Sequence, residues 1–273
     1  MSLKSLLLIG VATLAPAFAS SINLGTASAF GLLGGTVSNT GTSVINGDVG
    51  AIITVTGFYP TGTVTPGNTV YPAPSGPTST FGLAYSAFKS ALTLAAADTP
   101  TATPTGLATS TTFSGGGVYA FPDLPLTTST AGITLTFDAQ NNSNAVFIMQ
   151  FPGSLTIDGP ITFDLANGAL ASNIFWIIGS VAIPEAMTID PTNIPANQMV
   201  WDGNILAGTF TMSGNSGALS GTINGCVLTV NANTLANTTD VNGCSATGTP
   251  EPGSAGLFAL GALLGALGLR KLR

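Results

Sequence analysis

Leu135-Thr136-Phe137, Leu155-Thr156-Ile157, Met187-Thr188-Ile189, Phe210-Thr211-Met212 and Leu228-Thr229-Val230 are copies of one short pattern, apolar-Thr-apolar, spread through residues 133–235. Neighbouring side chains in a β-strand point to opposite faces, so each copy directs two apolar groups inward and its Thr outward. The copies begin 20, 32, 23 and 18 residues apart. That is about the length a chain needs to go once around a β-solenoid coil and return to the same side. The pattern predicts stacked coils with unequal corner loops and five Thr residues sharing one outer face.

A second element recurs beside the first and is strongly apolar: Gly117-Val118-Tyr119, Ala145-Val146-Phe147-Ile148, Ile174-Phe175-Trp176-Ile177-Ile178, Gly203-Asn204-Ile205-Leu206 and Gly225-Cys226-Val227-Leu228. Each coil therefore offers one apolar side and one Thr-bearing side. The apolar side needs a cover, and the chain supplies one helix. Ser79 is placed to cap a helix running to about Ala97, with Leu83, Ala84, Ala87, Phe88, Ala91, Leu92 and Ala95 on one stripe. Tyr85, Ser86, Lys89 and Ser90 fall on the opposite face, which is too poor in cations for a membrane-active helix. Before it, Ala29 to Leu33, Ser43 to Ile45 and Ile52 to Thr56 read as strands, with Asn46-Gly47-Asp48 a tight turn. Residues 59–80 and 98–116 are rich in Pro, Gly, Ser and Thr and read as irregular excursions.

The two ends carry different signals. Lys4, the apolar run Leu6 to Leu14 and Ala17-Phe18-Ala19 form a secretory leader over residues 1–19, too short in its apolar part to span a bilayer. At the other end Pro250-Glu251-Pro252 precedes the apolar stretch Gly253 to Leu269 and the basic end Arg270-Lys271-Leu272-Arg273. This three-part tail, residues 250–273, resembles the PEP-CTERM sorting signal of bacterial envelope proteins, which implies recognition by sorting machinery and release of the tail. The alternative is a permanent single-span anchor. Either way the body, residues 20–249, belongs outside the cytoplasm, in a secreted, envelope or matrix location.

Composition narrows the chemistry. Charged residues are 6% of the chain, against about 25% in soluble proteins generally. There is no His, and between Ser20 and Thr249 Lys89 is the only basic residue, against acidic residues from Asp48 to Asp240. Nucleic acid is excluded as a partner, because phosphate-backbone binding requires a basic patch. Ser-His and Cys-His catalysis are excluded as well, and no oxyanion cation is in evidence. Asp158, Asp164, Glu185, Asp190 and Asp202 are the clustered carboxylates, and they read as turn and surface groups rather than a glycosidase pair. Asn46-Gly47-Asp48-Val49-Gly50 has one carboxylate, far short of a Ca²⁺ site, and two Cys without His are too few for structural zinc. The expectation is a non-enzymatic protein with no cofactor and no metal. In an exported chain Cys226 and Cys244 pair as a disulfide, the alternative being two free thiols.

Thr residues aligned on successive coils form a ladder with a rung every 4.7–4.9 Å or so, and β-branching stiffens each side chain. Methyl groups that cage water and hydroxyls that anchor it, on a flat surface with few charges, suit a ligand that is itself ordered water. Further motifs carry a resemblance that agrees with this. Asn23 to Leu33, Val44 to Gly50, Asn144 to Gln150, Ala169 to Trp176 and Gly203 to Ala207, taken in order, resemble the widespread microbial ice-binding protein family over about residues 22–240. The resemblance implies an all-β fold, a discontinuous triangular β-solenoid (β-helix) with one long α-helix packed along a side, whose N-terminal segment lies among coils made by later sequence. It also implies adsorption to ice through a flat face, inhibiting ice growth and recrystallisation. The ice-binding residues so selected are Thr36 and Ser38, from the resemblance, with Thr156, Thr188, Thr211 and Thr229 from the pattern. Ser154, Thr209, Ser213 and Asn231 flank them. Asp158 and Asp190 follow two of the triplets and mark the outer edge of that face. The expected partner is ice or ordered water, met by a monomer. A rival reading is an envelope or matrix adhesin that binds glycans, although the body holds only Trp176 and Trp201 as indole platforms.

Overall fold

The computed structural model describes residues 22–58, 62–71, 79–190, 194, 199–213, 220–236 and 238–244. The leader (1–19) and the tail (250–273) lie outside the described residues. Five strands open the fold: β1 (Phe30–Asn39), β2 (Val44–Ile45), β3 (Asp48–Thr56), β4 (Thr63–Val64) and β5 (Val70–Tyr71). The helix α1 (Thr80–Ala97) follows. Three regular coils come next, each of three strands: β6 (Thr111–Ser114), β7 (Gly117–Ala120) and β8 (Leu126–Thr127), then β9 (Ile133–Asp138), β10 (Phe147–Phe151) and β11 (Leu155–Ile157), then β12 (Ile161–Ala166), β13 (Ile174–Ile178) and β14 (Ala186–Ile189). In the later coils two sides are served by one bent strand: β15 (Met199–Asp202) with β16 (Asn204–Met212), and β17 (Ser220–Asn224) with β18 (Val227–Leu235), before β19 (Thr238–Val241).

Pairings between these strands are parallel, and they sort the chain onto three sides of a triangular solenoid. One side, here the helix face, runs β7, β10, β13, β16, β18, β1, β3, β5. A second, the ladder face, runs β8, β11, β14 and then the distal halves of β16, β18, β1 and β3. The third face consists of two separate sheets, β6-β9-β12 and β15-β17-β19-β2-β4. The strands β16, β18, β1 and β3 pass from the helix face to the ladder face through register shifts at Ala207/Thr209, Leu33/Thr36 and Gly34/Thr36.

The N-terminal segment does not lie between coils of later sequence. It stacks on their end: β1 pairs with β18, and β2 pairs with β19. One coil is thus shared between the two ends of the chain. The chain must then return to the far end of the stack to begin β6, and α1 makes that journey. Eighteen residues at about 1.5 Å each give a rod of roughly 27 Å, close to the height of the strands it covers.

Two apolar cores follow from this arrangement. Inside the solenoid, Phe137, Phe147, Phe151, Trp176, Trp201 and Phe210 are each at most 1% exposed. Trp176 and Trp201 have ring centroids 4.6 Å apart, and the Trp176 Nε1–H donates to the Asp202 carbonyl at 2.9 Å. Gly203, at φ +116°, turns the corner beside that ring, and a Cβ there would sit 2.6 Å from Trp176 Nε1. Outside the helix face, Val118, Ile148, Phe175, Ile177, Leu206 and Leu228 point away from the interior and are covered by Phe81, Ala84, Phe88, Ala91, Leu92 and Ala95 of α1. Strands buried on both faces read as continuous apolar runs, which explains the second recurring element.

Ser79 caps α1 as its sequence requires, its Oγ accepting from Gly82 N–H at 3.1 Å. At the other end the buried Gln150 Nε2 donates to the Ala95 and Asp98 carbonyls at 2.7 and 3.0 Å, satisfying helix-terminal acceptors. The buried stripe is rotated from the expected one. Leu83 is exposed, while Tyr85 is buried with its hydroxyl donating to the Val230 carbonyl at 2.6 Å. Tyr has an apolar body and a polar tip, so where a backbone acceptor is within reach it outcompetes a Leu for the interface. The Cys226–Cys244 disulfide is formed.

Candidate functional site

On the ladder face, strand pairing brings Thr127, Thr156, Thr188, Thr211, Thr234, Ser38 and Thr56 into one register, one hydroxyl residue on each of seven adjacent strands. Their inward neighbours Leu155, Met187, Phe210 and Val37 are fully buried and fix the outward direction of the column. Two residues upstream a second column runs Ala186, Thr209, Ala232, Thr36, Thr54. The rungs repeat about every 4.7–4.9 Å across strands and the columns lie about 6.6 Å apart along them. The hydroxyls of the first column form no side-chain hydrogen bond within the described residues, which leaves donors and acceptors available to water.

The residues selected from sequence divide accordingly. Thr156, Thr188, Thr211 and Ser38 stand in the first column, and Thr209 and Thr36 in the second. Ser154 is half-buried immediately before β11, its carbonyl accepting from Leu126 N–H. Ser213 follows β16, and its hydroxyl turns back to the Ile189 carbonyl at 3.3 Å. Asn231 is exposed but sits in the irregular bend of β18, where it has no registered partner. Thr229 is not on this face. It is 0% exposed, pairs with Ala207 before the bend, and donates towards the Leu33 carbonyl.

The Thr229 difference has a simple cause. On the helix face both sides of the sheet are dry, so Leu228 is satisfied pointing out against α1 and its Thr neighbour points in. The bend of β18 then inserts residues before the ladder resumes, and Thr234 takes the place that Thr229 would have held. Thr136 also departs from the shared face: it belongs to β9, on the third face, opposite Thr112 and Asp164. Alternation decides which side chains point out of a strand, not which side of the triangle that strand occupies.

Thr54, Thr56, Thr127 and Thr234 also stand in these columns without being among the residues selected from sequence. Ile53-Thr54-Val55 is itself an apolar-Thr-apolar triplet, and Leu126-Thr127 is half of one. Thr234 is harder to find, because the inward residue beside it is Asn233, fully buried. Its Nδ2 donates to the Leu33 and Val227 carbonyls at 2.9 and 3.1 Å, tying the bent strands together at the corner. Asn39 does the same at the next corner, with Nδ2 donating to the Gly41 and Gly57 carbonyls at 2.8 and 2.9 Å.

Charge is sparse here. Continuing the register past Ile157 and Ile189 places Asp158 and Asp190 beside each other at the corner with the third face, followed by Ser213, Ala236 and Thr40 on the next strands. No group of three or more His, Cys, Asp or Glu side chains placed to hold a metal ion occurs among the described residues. Asp138, at a corner of the third face, has its carboxyl held below the usual range by donation from the Asn167 amide and the Gln140 N–H.

Comparisons with known proteins agree with this architecture. An ice-binding protein of Nostoc sp. (strain HG1) is 36% identical over 173 residues, which span 60% of this chain and 58% of that relative's length. The crystal structure of an ice-binding protein from the Antarctic ascomycete Antarctomyces psychrotrophicus aligns with a TM-score of 0.64 and 30% identity over 81% of this chain and 97% of its own. One from an Antarctic biological consortium aligns with a TM-score of 0.65 and 25% identity, over 82% and 92%. Residues 32–241 match the family described as Ice-binding-like, and the chain belongs to that family.

Proposed function

We propose that this protein adsorbs to ice through the ladder face and thereby inhibits ice growth and recrystallisation. The observation that carries the reading is the unbroken hydroxyl column across seven parallel strands. A crystal surface repeats in two dimensions, and a ligand for it must present a repeat of its own on a stiff, flat support. Parallel strands set the spacing, β-branching sets the rotamer, and the apolar interior sets the flatness. Methyl groups order the first water layer and hydroxyls anchor it. Of the residues chosen from sequence, Thr36, Ser38, Thr156, Thr188, Thr209 and Thr211 stand in the two columns of this face, and Thr54, Thr56, Thr127 and Thr234 complete the columns.

No bond is made or broken in adsorption, which suits a chain with no His and one cation in its body. The leader and tail, with the relatives' ice-binding names, support export to the cell envelope or its surroundings, the tail meeting the sorting machinery there. The test is ice growth in a nanolitre osmometer with the purified protein. Faceted crystals and a gap between melting and freezing points are the expected result. Round, freely growing crystals from a folded sample would contradict it and turn attention to glycan adhesion.

A further inference from the structure

The ladder face is not uniform along the solenoid axis. On β16, β18, β1 and β3 the two columns hold Thr209 and Thr211, Ala232 and Thr234, Thr36 and Ser38, Thr54 and Thr56, seven hydroxyls in eight positions. The corner beside them is uncharged, with Ser213, Ala236 and Thr40. On β8, β11 and β14 the first column continues through Thr127, Thr156 and Thr188, but the second falls to Ser154 and Ala186 and the corner carries Asp158 and Asp190.

Those two carboxylates lie on adjacent strands, about 4.8 Å apart at the backbone. A carboxylate brings negative charge to the edge of the face, and taking charge out of liquid water is costly. Ice offers four directed hydrogen bonds per water and no accommodation for an anion. A growing ice layer that meets Thr156 and Thr188 would have to pass beside both charges; one that meets Thr211, Thr234, Ser38 and Thr56 meets none.

We propose that the working patch is the half of the ladder face built by β16, β18, β1 and β3, about 14 Å across the strands, and that Asp158 and Asp190 set its boundary. This rests on the ice-binding reading and names the part of the face that carries it. The patch joins residues 36–56 to residues 209–234, so it exists only when the N-terminal segment is docked. The disulfide closes a loop, residues 226–244, that contains β18 and β19, the strands that receive that segment.

Thr127 and Thr56 stand at opposite ends of one column and are both exposed, so Tyr at either place leaves the interior untouched. The test compares Thr56→Tyr, Thr127→Tyr and the double variant Asp158→Asn/Asp190→Asn with the parent protein, each in the full chain, by thermal hysteresis at equal concentration with a melting curve for each. Thr56→Tyr should lose activity about tenfold while Thr127→Tyr keeps it within about twofold. The Asn pair, opening the remaining three strands, should raise it about twofold. Equal losses at both ends, or a double variant that melts normally with unchanged activity, would overturn the boundary. A parent protein with no hysteresis would instead overturn the ice-binding reading itself.

Discussion

The ladder face and the third face are made by the same coils from similar residues, yet they differ in three respects. The ladder face pairs without interruption across seven strands, whereas the third face is split into sheets of three and five strands. The outward row of the third face contains Thr112, Thr136 and Asp164, then Val200, Thr222 and Asp240, so hydroxyl, carboxylate and apolar groups alternate along it. Its polar groups are also engaged with one another: Thr136 Oγ1 donates to Asp164 Oδ2 at 3.3 Å, and Asp240 Oδ1 accepts from Val44 N–H at 3.0 Å. The count of Thr residues on a surface is therefore a poor guide to what it can bind. Register, continuity and the absence of charge from the two hydroxyl columns separate the two faces.

The largest effect expected on the fold comes from the aromatic rings behind each face. Phe210, inside β16 between Thr209 and Thr211, and Phe137, inside β9 beside Thr136, are both fully buried. Replacing either with Ala should cost about 3–5 kcal/mol of stability, seen as comparable falls in melting temperature. Near the freezing point, where both variants remain folded, only Phe210→Ala should also lower thermal hysteresis. Equal loss of hysteresis in the two would erase the distinction between the faces.

Removing the disulfide with Cys226→Ala/Cys244→Ala acts on both faces together, because the enclosed loop contributes β18 to the ladder face and β19 to the third. A loop of 18 residues corresponds to about 3 kcal/mol on the chain-entropy model. The melting temperature should fall while ice shaping by the folded fraction persists, and an unchanged melt would show that the staple is idle.

A smaller effect should appear with alkali, through Tyr85 beneath α1 and Tyr119 inside the solenoid. Burial holds the hydroxyls of Tyr85 and Tyr119 above the ordinary value of 10.0. The folded state favours the neutral phenol, so this contribution is complete below about pH 10 and is lost as the pH rises past it. Melting temperature followed by calorimetry should be level up to that point and decline beyond it. A decline already complete at pH 9 would point to some other group.

Much of this architecture was legible in the residues. The two recurring elements gave the coil and its two-sided character, Ser79 gave the start of the helix, and the Cys pair gave the staple. What was not legible is tied to the bends. Thr229 and Thr234 lie five positions apart in one strand, and only the register shift between Ala207 and Thr209 decides which of them meets solvent. That shift depends on Gly34, Gly35 and Asn233 from opposite ends of the chain: a Cβ on Gly35 would fall 2.3 Å from the Asn231 carbonyl oxygen. Local alternation carries no information about a partner some 200 residues away. Thr136 illustrates the complementary limit, since its triplet is locally equivalent to that of Thr156 and only the count of corners between them assigns the face.

The most direct test of the account places the same insult on each face. Thr211→Tyr puts a bulky ring at the centre of the ladder, and Thr136→Tyr puts it on the third face, at outward positions that are both half-exposed. Measured by thermal hysteresis at equal concentration, Thr211→Tyr should lose at least about tenfold in activity while Thr136→Tyr matches the parent, with both melting normally. Full activity in Thr211→Tyr together with loss in Thr136→Tyr would place the ice contact on the third face and contradict the account.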